Sequence, residues 1–174
     1  MNITKARLTE ISRISEIYDA AREYMRRAGN AHQWGGGYPS ADTIREDIEK
    51  ERLYVCKDEG GDILGVFCYF FGTDPTYREI FEGEWLTASG AESGETSPRY
   101  GVMHRVAVAD HAHGRGVAAS CFDFCFEKCG DLRIDTHRDN IPMQKALARA
   151  GFSRRGIIYL ENGDERIAFQ KLRA

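Results

Sequence analysis

Hydrophobic residues near the start of the chain recur with the spacing of an amphipathic helix. Between residues 9 and 27 the apolar positions fall three or four apart, so they share one helix face. Thr9 is a candidate N-cap for this helix. A second helix is predicted from a cap at Ser40 or Asp42 to about residue 51. The segment HQWGGGYPS between the two predicts a loop, because its glycines and proline disfavour regular structure.

Alternating runs rich in β-branched and aromatic residues predict the strands. They cover residues 3–8, 52–57, 63–71, 100–108, 132–136, 152–160 and a closing strand through residue 169. Two more helices are predicted over residues 116–129 and 141–150. The segment TDPTYREIFEGEWL is less regular and can include a short strand, and residues 87–98 predict a mobile surface loop.

This order of elements, a meander followed by a βαβα unit, predicts an α+β fold. We expect a mixed, mostly antiparallel sheet of six to seven strands flanked by about four helices. The 174 residues are predicted to form a single domain over 1–174, long enough to bury a core without disulfides or metal.

Charge and hydropathy exclude some classes of protein. The 24 basic and 27 acidic residues give a net charge of −3, whereas a nucleic-acid binder is expected to carry a basic surface. The N-terminus lacks the apolar core of a signal peptide, and no apolar run approaches the ~20 residues of a membrane helix. We therefore expect a cytoplasmic protein that binds neither nucleic acid nor membrane.

Five cysteines, an odd number without a secretion signal, predict free thiols. Cys121, Cys125 and Cys129 are four residues apart and share one helix stripe. We interpret the stripe as packing of the helix against the sheet, because zinc sites usually use CxxC or histidine-bearing spacings. A metal or redox face is the alternative, and no metal site is predicted.

The run YGVMHRVAVADHAHGRGVAA, residues 100–119, carries the strongest indication of chemistry. An alternating strand leads into a turn with Gly114 and Gly116, and a helix follows. Glycines let backbone amides approach an anion, and the unpaired amides of the helix's first turn point at it. The pattern predicts a ligand with phosphate or pyrophosphate. It also fits the dinucleotide pattern G-x-G-x-x-G/A, but it lacks that pattern's place in the first βαβ unit of a doubly wound sheet.

Residues 100–152 resemble the GNAT superfamily of N-acetyltransferases. The family's cofactor signature, Gln/Arg-x-x-Gly-x-Gly/Ala, follows the fourth strand and opens the third helix, and the stretch HGRGVA at 113–118 is similar to it. The upstream HRVAV, Asn140 with Met143, and the Gly-Phe pair at 151–152 are similar to further family features. The order of elements agrees over essentially the whole chain.

The resemblance implies acetyl-CoA as cofactor, with CoA as product. The strand's backbone would pair with the pantetheine arm as an added strand, and the loop amides would hold the pyrophosphate beside Arg115. Asn140 would contact the arm near its thiol end. The implied cofactor-binding residues are Val106, Ala107, Val108, His113, Gly114, Arg115, Gly116, Val117, Ala118, Asn140 and Met143.

Two positions depart from the family pattern. His113 stands where Gln or Arg is usual, which matters little because backbone amides do most of the anion binding. Leu147 stands four residues before the Gly-Phe pair, where many members carry a tyrosine that protonates the leaving thiolate. Leucine transfers no proton, so the general acid is left open.

The general base is also open. His104 lies on the strand near the expected thioester, and histidine is the side-chain type whose charge changes between pH 5 and 8. The alternative is a histidine packed in the sheet. His137, just past the fifth strand, is the second candidate, and it can instead cap the loop that follows.

The resemblance implies an acceptor site built from the first two helices, their loop, and the segment between the third and fourth strands. Trp34, Tyr38 and Trp85 are the candidate substrate-binding residues, since large aromatics on loops can close over a small acceptor. The alternative is a hydrophobic staple that fixes the loop. The acceptor is expected to be a small-molecule or peptide amine.

The sequence thus predicts direct acetyl transfer to an amine, with the amide of Val106 or Ala107 polarising the thioester carbonyl. Three alternatives stay open: a CoA-binding sensor without turnover, a dinucleotide-dependent oxidoreductase, and an acetyltransferase of protein N-termini or lysines. Sheet edges in this architecture support a homodimer by analogy alone.

Overall fold

The computed structural model describes residues 1–87 and 100–174. Within them it has the following strands and α-helices, in chain order: β1 (Asn2–Lys5), α1 (Ile11–Arg27), α2 (Ala41–Glu49), β2 (Leu53–Lys57), β3 (Ile63–Gly72), β4 (Tyr100–Val108), α3 (Val117–Cys129), β5 (Asp131–Thr136), α4 (Ile141–Arg149), β6 (Ser153–Tyr159) and β7 (Glu165–Leu172). Each predicted strand and helix is present, with shifts of a few residues at the ends. The loop expected at residues 87–98 lies, apart from Thr87, outside the described residues.

The strands form one sheet in the order β1-β2-β3-β4-β5-β7-β6. β4 and β5 are parallel, while the pairs β1–β2, β2–β3, β5–β7 and β6–β7 are antiparallel. The predicted α+β class with a mixed, mostly antiparallel sheet is confirmed. The doubly wound parallel sheet on which the dinucleotide pattern depends is a different architecture, so the fold does not favour the oxidoreductase alternative.

The chain divides into two compact units. Unit 1 comprises residues 1–69 and 104–124, and unit 2 comprises residues 70–103 and 125–174. In unit 1, α1 buries the apolar stripe that its spacing predicts, formed by Ile14, Ile17, Tyr18, Ala21 and Met25.

The core of unit 2 contains a fully buried arginine, Arg133. Its guanidinium carbon lies 3.8 Å from the ring centre of Tyr100 and 4.3 Å from that of Trp85. One of its Nη atoms donates to the Thr87 carbonyl at 2.9 Å. The Asp131 carboxylate, with Oδ1 4.0 Å from Nε, compensates the charge together with the aromatic faces and the carbonyl, which is how a buried arginine is tolerated.

The start of α1 differs from the sequence prediction. Residues Leu8–Glu10 form a 3-10 turn, so β1 ends at Lys5 and α1 begins at Ile11. The N-cap position of α1 is Glu10 and no side chain caps the helix, so the Thr9 prediction is wrong. The Glu10 carboxylate instead accepts the Arg7 amide at 2.8 Å, across the 3-10 turn. The Ser40 cap is confirmed, because its hydroxyl accepts the Thr43 amide at 3.1 Å.

The irregular segment before β4 does include a short strand-like pairing. Phe81 and Ile157 exchange two backbone hydrogen bonds of 2.8 Å, which attaches the segment to β6. Cys121 and Cys125 are buried, as the packing interpretation of the stripe expects, and none of the chain's cysteines, all of them described, forms a disulfide. Within the described ranges, no helix is both long and apolar enough to cross a membrane.

Candidate functional site

The glycine loop between β4 and α3 has the backbone conformation that the sequence pattern suggests. Gly114 and Gly116 have φ angles of +77° and +76°, in the left-handed region that glycine adopts without strain. No heavy atom lies within 4 Å of a Cβ built at either position. The glycines are therefore required by the loop's conformation rather than by crowding, and the loop itself is exposed.

The first amides of α3 are available to a ligand. The Ser120 amide donates to the Gly116 carbonyl at 3.0 Å and is the first that follows the helical pattern. The amides of residues 117–119 precede it, so they are the donors that a bound anion can use. Oriented amides and the helix dipole favour negative charge at this end of α3.

Two side chains of the loop differ in their surroundings. The His113 ring is folded back on its own unit, with Nε2 3.1 Å from the Val108 carbonyl and an edge-to-face contact with Tyr24 at 4.7 Å. Arg115 is exposed. Of the two, Arg115 is the side chain with freedom to reach a phosphate, as the resemblance implies.

β4 contains a residue in an unusual conformation just before its candidate cofactor-pairing positions. Arg105 has φ +53°, which for a residue with a side chain costs about 1–3 kcal/mol and persists only where neighbouring contacts hold it. Regular alternation of side chains fails across such a residue. Residues two apart on a regular strand share a face, but this rule does not extend from His104 to Val106 across Arg105.

The contacts of Arg105 come from three elements of unit 1. Its carbonyl accepts the Tyr18 hydroxyl of α1 at 2.9 Å. Its guanidinium makes a bidentate pair with Asp47 of α2, with Nε–Oδ2 and Nη2–Oδ1 distances of 2.9 and 2.8 Å. Its remaining Nη1 donates to the Tyr38 hydroxyl at 2.7 Å.

Burial makes this pair electrostatically strong. The side chains of Arg105 and Asp47 are 17% and 10% exposed. Burial on its own would lower the pKa of the Arg105 guanidinium, but the acidic groups around it, Asp47 among them, raise that pKa above its usual value. Arg105 is thus a permanent cation. Burial raises the pKa of the Tyr18 hydroxyl well above its usual value, so that group stays a donor.

Gly65 lies beside the candidate cofactor elements, and the sequence analysis missed it. A Cβ at this position of β3 would lie 2.7 Å from Val117 Cγ1 and 3.3 Å from the Ala107 carbonyl oxygen. The absence of a side chain therefore lets β3, β4 and the first residue of α3 approach closely. No local pattern distinguishes this glycine from the others, because its neighbours are distant in sequence.

The two candidate bases occupy different environments. His104 is half-buried on β4 in unit 1. His137, in unit 2, uses Nδ1 to accept the Asp139 amide at 3.2 Å. His137 thus caps the loop that follows it, which the sequence analysis gave as the alternative to a catalytic role.

The residues assigned near the cofactor's thiol lie at the start of α4. Asn140 is buried and caps that helix by accepting the Met143 amide at 3.2 Å. Met143 is half-buried. Leu147, at the place of the family's tyrosine, is completely buried. The cap explains why an asparagine suits position 140 whatever its role toward a cofactor.

The three candidate acceptor aromatics divide between the units. Trp34, in the loop after α1, contacts Tyr18 edge-to-face at 5.5 Å. Tyr38 is 39% exposed. Trp85 lies in the core of unit 2, where its indole N–H donates to the Tyr77 carbonyl at 3.0 Å. Its polar group is satisfied inside the protein.

A cavity of about 360 Å³ lies beside the loop in unit 1. Asp19, Glu23, Asn30 and Trp34 are among its lining residues. It combines an aromatic wall with two ion pairs, Arg22–Asp19 and Arg26–Glu23, a lining that suits a small polar ligand.

Comparison with known proteins agrees with this geometry. A sequence model of the acetyltransferase (GNAT) family matches residues 14–152. The crystal structure of a GNAT-family acetyltransferase from Streptococcus agalactiae is 29% identical, covers 99% of this chain and 95% of its own, and superposes with a TM-score of 0.86. No curated protein gave a match.

More distant structures share the fold. The ribosomal-protein-alanine N-acetyltransferase of Brucella melitensis is 18% identical, with 99% of both chains covered and a TM-score of 0.63. A chain of the NatC complex bound to Gag peptide and CoA is 14% identical, with 99% and 98% covered and a TM-score of 0.62.

Proposed function

Because this chain belongs to the GNAT family of acetyltransferases, we propose that it transfers the acetyl group of acetyl-CoA directly to a primary amine. The observation that carries the proposal is the exposed left-handed glycine loop at the start of α3, directly after a strand distorted at Arg105. The loop amides would bind the pyrophosphate, and the backbone of residues 106–108 would pair with the pantetheine arm. Asn140 and Met143 are proposed as contacts of the arm.

The reaction needs little covalent help from the protein. The amine nitrogen attacks the thioester carbonyl, the new N–C bond forms, and the C–S bond breaks to release CoA. An amide of Val106 or Ala107 would stabilise the oxyanion that forms meanwhile. His104 is proposed to take the amine's proton, directly or through water, with His137 as the second candidate. The released thiolate must gain a proton from a group other than Leu147.

The acceptor is proposed to bind at the loop after α1, against Trp34 and Tyr38. The cavity beside this loop pairs each of its two carboxylates with an arginine, so its lining favours a polar acceptor without selecting its charge. An N-terminal peptide amine is the alternative acceptor. It is supported by the name of the Brucella enzyme and by the peptide bound in the NatC complex. The protein is proposed to act in the cytoplasm.

One observation favours a second candidate function. Leu147 is buried where the family's proton donor usually stands, which suits a protein that binds acetyl-CoA as a sensor without turnover. Incubation with a panel of amines separates the two functions. The panel comprises spermidine, an aminoglycoside, a lysine peptide with a blocked N-terminus, and a tetrapeptide with a free N-terminal alanine. Tight binding with an intact thioester throughout would support the sensor.

Calorimetric titration tests the cofactor site. We expect acetyl-CoA and CoA to bind and NADH not to bind. Gly116→Trp should weaken acetyl-CoA binding about 30-fold, or about 2 kcal/mol, because its ring occupies the anion's position on a strained backbone.

Gly163→Trp is the matched control for this substitution. Gly163 has a similar φ of +84° and equally open surroundings, but it lies in the turn between β6 and β7. This control should bind like wild type. Absence of CoA binding by the wild type would refute the acetyltransferase proposal, and equal losses in both variants would refute the loop's role.

A further inference from the structure

A single guanidinium in unit 1 joins the distorted part of β4 to the proposed acceptor loop. Arg105 makes its bidentate contact with Asp47 on one side and reaches the Tyr38 hydroxyl on the other. Its own carbonyl is fixed by the hydroxyl of Tyr18. Both the backbone and the side chain of the left-handed residue are therefore held from outside β4.

The proposed acceptor loop is tied to the same place by a second arginine. Arg22 of α1 donates to the Tyr38 carbonyl at 3.1 Å, so Tyr38 is held through both its backbone and its hydroxyl. Trp34 packs on Tyr18, whose hydroxyl reaches Arg105. A displacement of the loop would thus be transmitted to Arg105 through rigid, hydrogen-bonded groups rather than through solvent.

The position of this cluster in the sequence gives it a functional consequence. Arg105 immediately precedes Val106 and Ala107, whose amides are proposed to face the thioester. The direction of an amide depends on the backbone angles of the residue before it. Oxyanion stabilisation depends on donor geometry, and small misplacements of reacting groups are costly. Whatever fixes Arg105 therefore fixes the Val106 amide directly, and it fixes the start of the backbone that carries the Ala107 amide.

We propose that Arg105 and Asp47 are positioning residues that hold the amides of Val106 and Ala107 in their reactive direction, and that Tyr38 links this clamp to the bound acceptor. The inference rests on the proposed acetyl transfer and adds to it. Asp47 contacts neither acetyl-CoA nor the acceptor. It acts only through Arg105. Tyr38 is the member that an acceptor would contact.

Arg105→Gly removes the contacts of the side chain while it permits the same backbone conformation. Glycine adopts φ +53° without strain, so the strand can keep its path, while Asp47 loses its bidentate partner. We expect kcat to fall about 10- to 100-fold while acetyl-CoA affinity changes little, because amide direction and not the anion site is disturbed. The acceptor used is spermidine or the alanine tetrapeptide, whichever the wild type acetylates.

Chemical rescue provides the readout that a merely structural role would not move. Millimolar ethylguanidinium should restore kcat in Arg105→Gly, whereas ethylammonium should not, because an ammonium lacks the planar fork that matches a carboxylate. The amide signals of Val106 and Ala107 in a nitrogen-15 NMR spectrum of the variant should move towards their wild-type positions with ethylguanidinium and not with ethylammonium. Arg173→Gly, which removes an exposed pair with Glu127, is the control and should respond to neither compound.

Tyr38→Phe keeps the proposal testable should Arg105→Gly fail to fold. Tyr38 is partly exposed, so the variant loses one hydroxyl without disturbing a core. We expect a higher acceptor KM at nearly unchanged kcat. An unchanged KM would remove Tyr38 from the proposal.

The outcomes distinguish this inference from the proposed function. If the wild type does not bind acetyl-CoA, the proposed function fails, and the NMR signals alone still decide whether the clamp directs the two amides. Amide signals in folded Arg105→Gly that do not respond to ethylguanidinium would overturn the clamp. So would equal effects of ethylguanidinium and ethylammonium.

Discussion

Gly65→Leu is expected to abolish saturable acetyl-CoA binding and to lower the free energy of unfolding by about 3 kcal/mol. A Cβ alone would lie 2.7 Å from Val117 Cγ1 and 3.3 Å from the Ala107 carbonyl oxygen, and the leucine branches need still more room. Val117 begins α3, and Ala107 belongs to the proposed cofactor strand. The substitution therefore pushes directly on both proposed cofactor elements.

Urea denaturation measures the loss of stability, and calorimetry measures binding at a temperature where circular dichroism shows the variant folded. Gly72→Leu is the control in the same strand, because a Cβ there meets its nearest neighbour at 3.8 Å, an ordinary contact. It should keep acetyl-CoA affinity. Unchanged affinity in folded Gly65→Leu would contradict the close approach of the three elements.

A double-mutant cycle identifies the contact responsible. Gly65→Ala introduces only the Cβ, and Val117→Ala removes the Cγ1 atom that the Cβ would meet. We expect the double variant to be more stable than the sum of the two single losses predicts, by about 1 kcal/mol. Additive losses would show that the strain lies at the Ala107 carbonyl instead.

The example of Gly65 shows why the site was only partly predictable. The glycine loop could be found from sequence because its geometry is local: two glycines with positive φ and a helix start lie within a few residues. Gly65 is one of 18 glycines and has an ordinary φ. Its importance comes from Val117, 52 residues away along the chain, and no periodicity records such a distance.

The clamp of Arg105 and Asp47 could not be predicted from the sequence for the same reason. Arg105 and Asp47 are 58 residues apart, and each appears in the sequence as an ordinary charged residue. The strand itself was predicted from alternating valines, and that alternation gave no sign of a left-handed residue inside it. Here tertiary contacts override local preference, which is typical of functional sites.

The fold was easier to predict than the site, because helices and strands each give a characteristic spacing of apolar residues. The stripe of α1 and the strand pairs around short turns follow from patterns of 3.6 and 2 residues. The aromatics show the limit of that approach. Trp34 and Trp85 look alike in sequence, yet Trp85 is 9% exposed in a core with Tyr77, while Trp34 lines a cavity.

His104→Gln is expected to lower kcat by about 100- to 10,000-fold, the range that a positioned general base contributes. Glutamine keeps the approximate size and hydrogen-bonding capacity of the side chain but cannot accept the amine's proton. The acetyl-CoA affinity should change little, because the pyrophosphate site lies on the glycine loop. The measurement is kcat as a function of pH with the amine that the wild type acetylates.

The pH profile separates catalysis from packing. The wild-type profile should contain a step that the variant lacks, because glutamine accepts no proton from the amine. His137→Gln is the competing variant, and His111→Gln, which removes an exposed contact with Asp62, is the control. A wild-type profile in folded His104→Gln, with the loss found in His137→Gln instead, would assign the base to unit 2. A wild-type profile in both variants would show that neither histidine is the base and that the amine binds in its neutral form. Catalysis would then depend on the amides that Arg105 and Asp47 position.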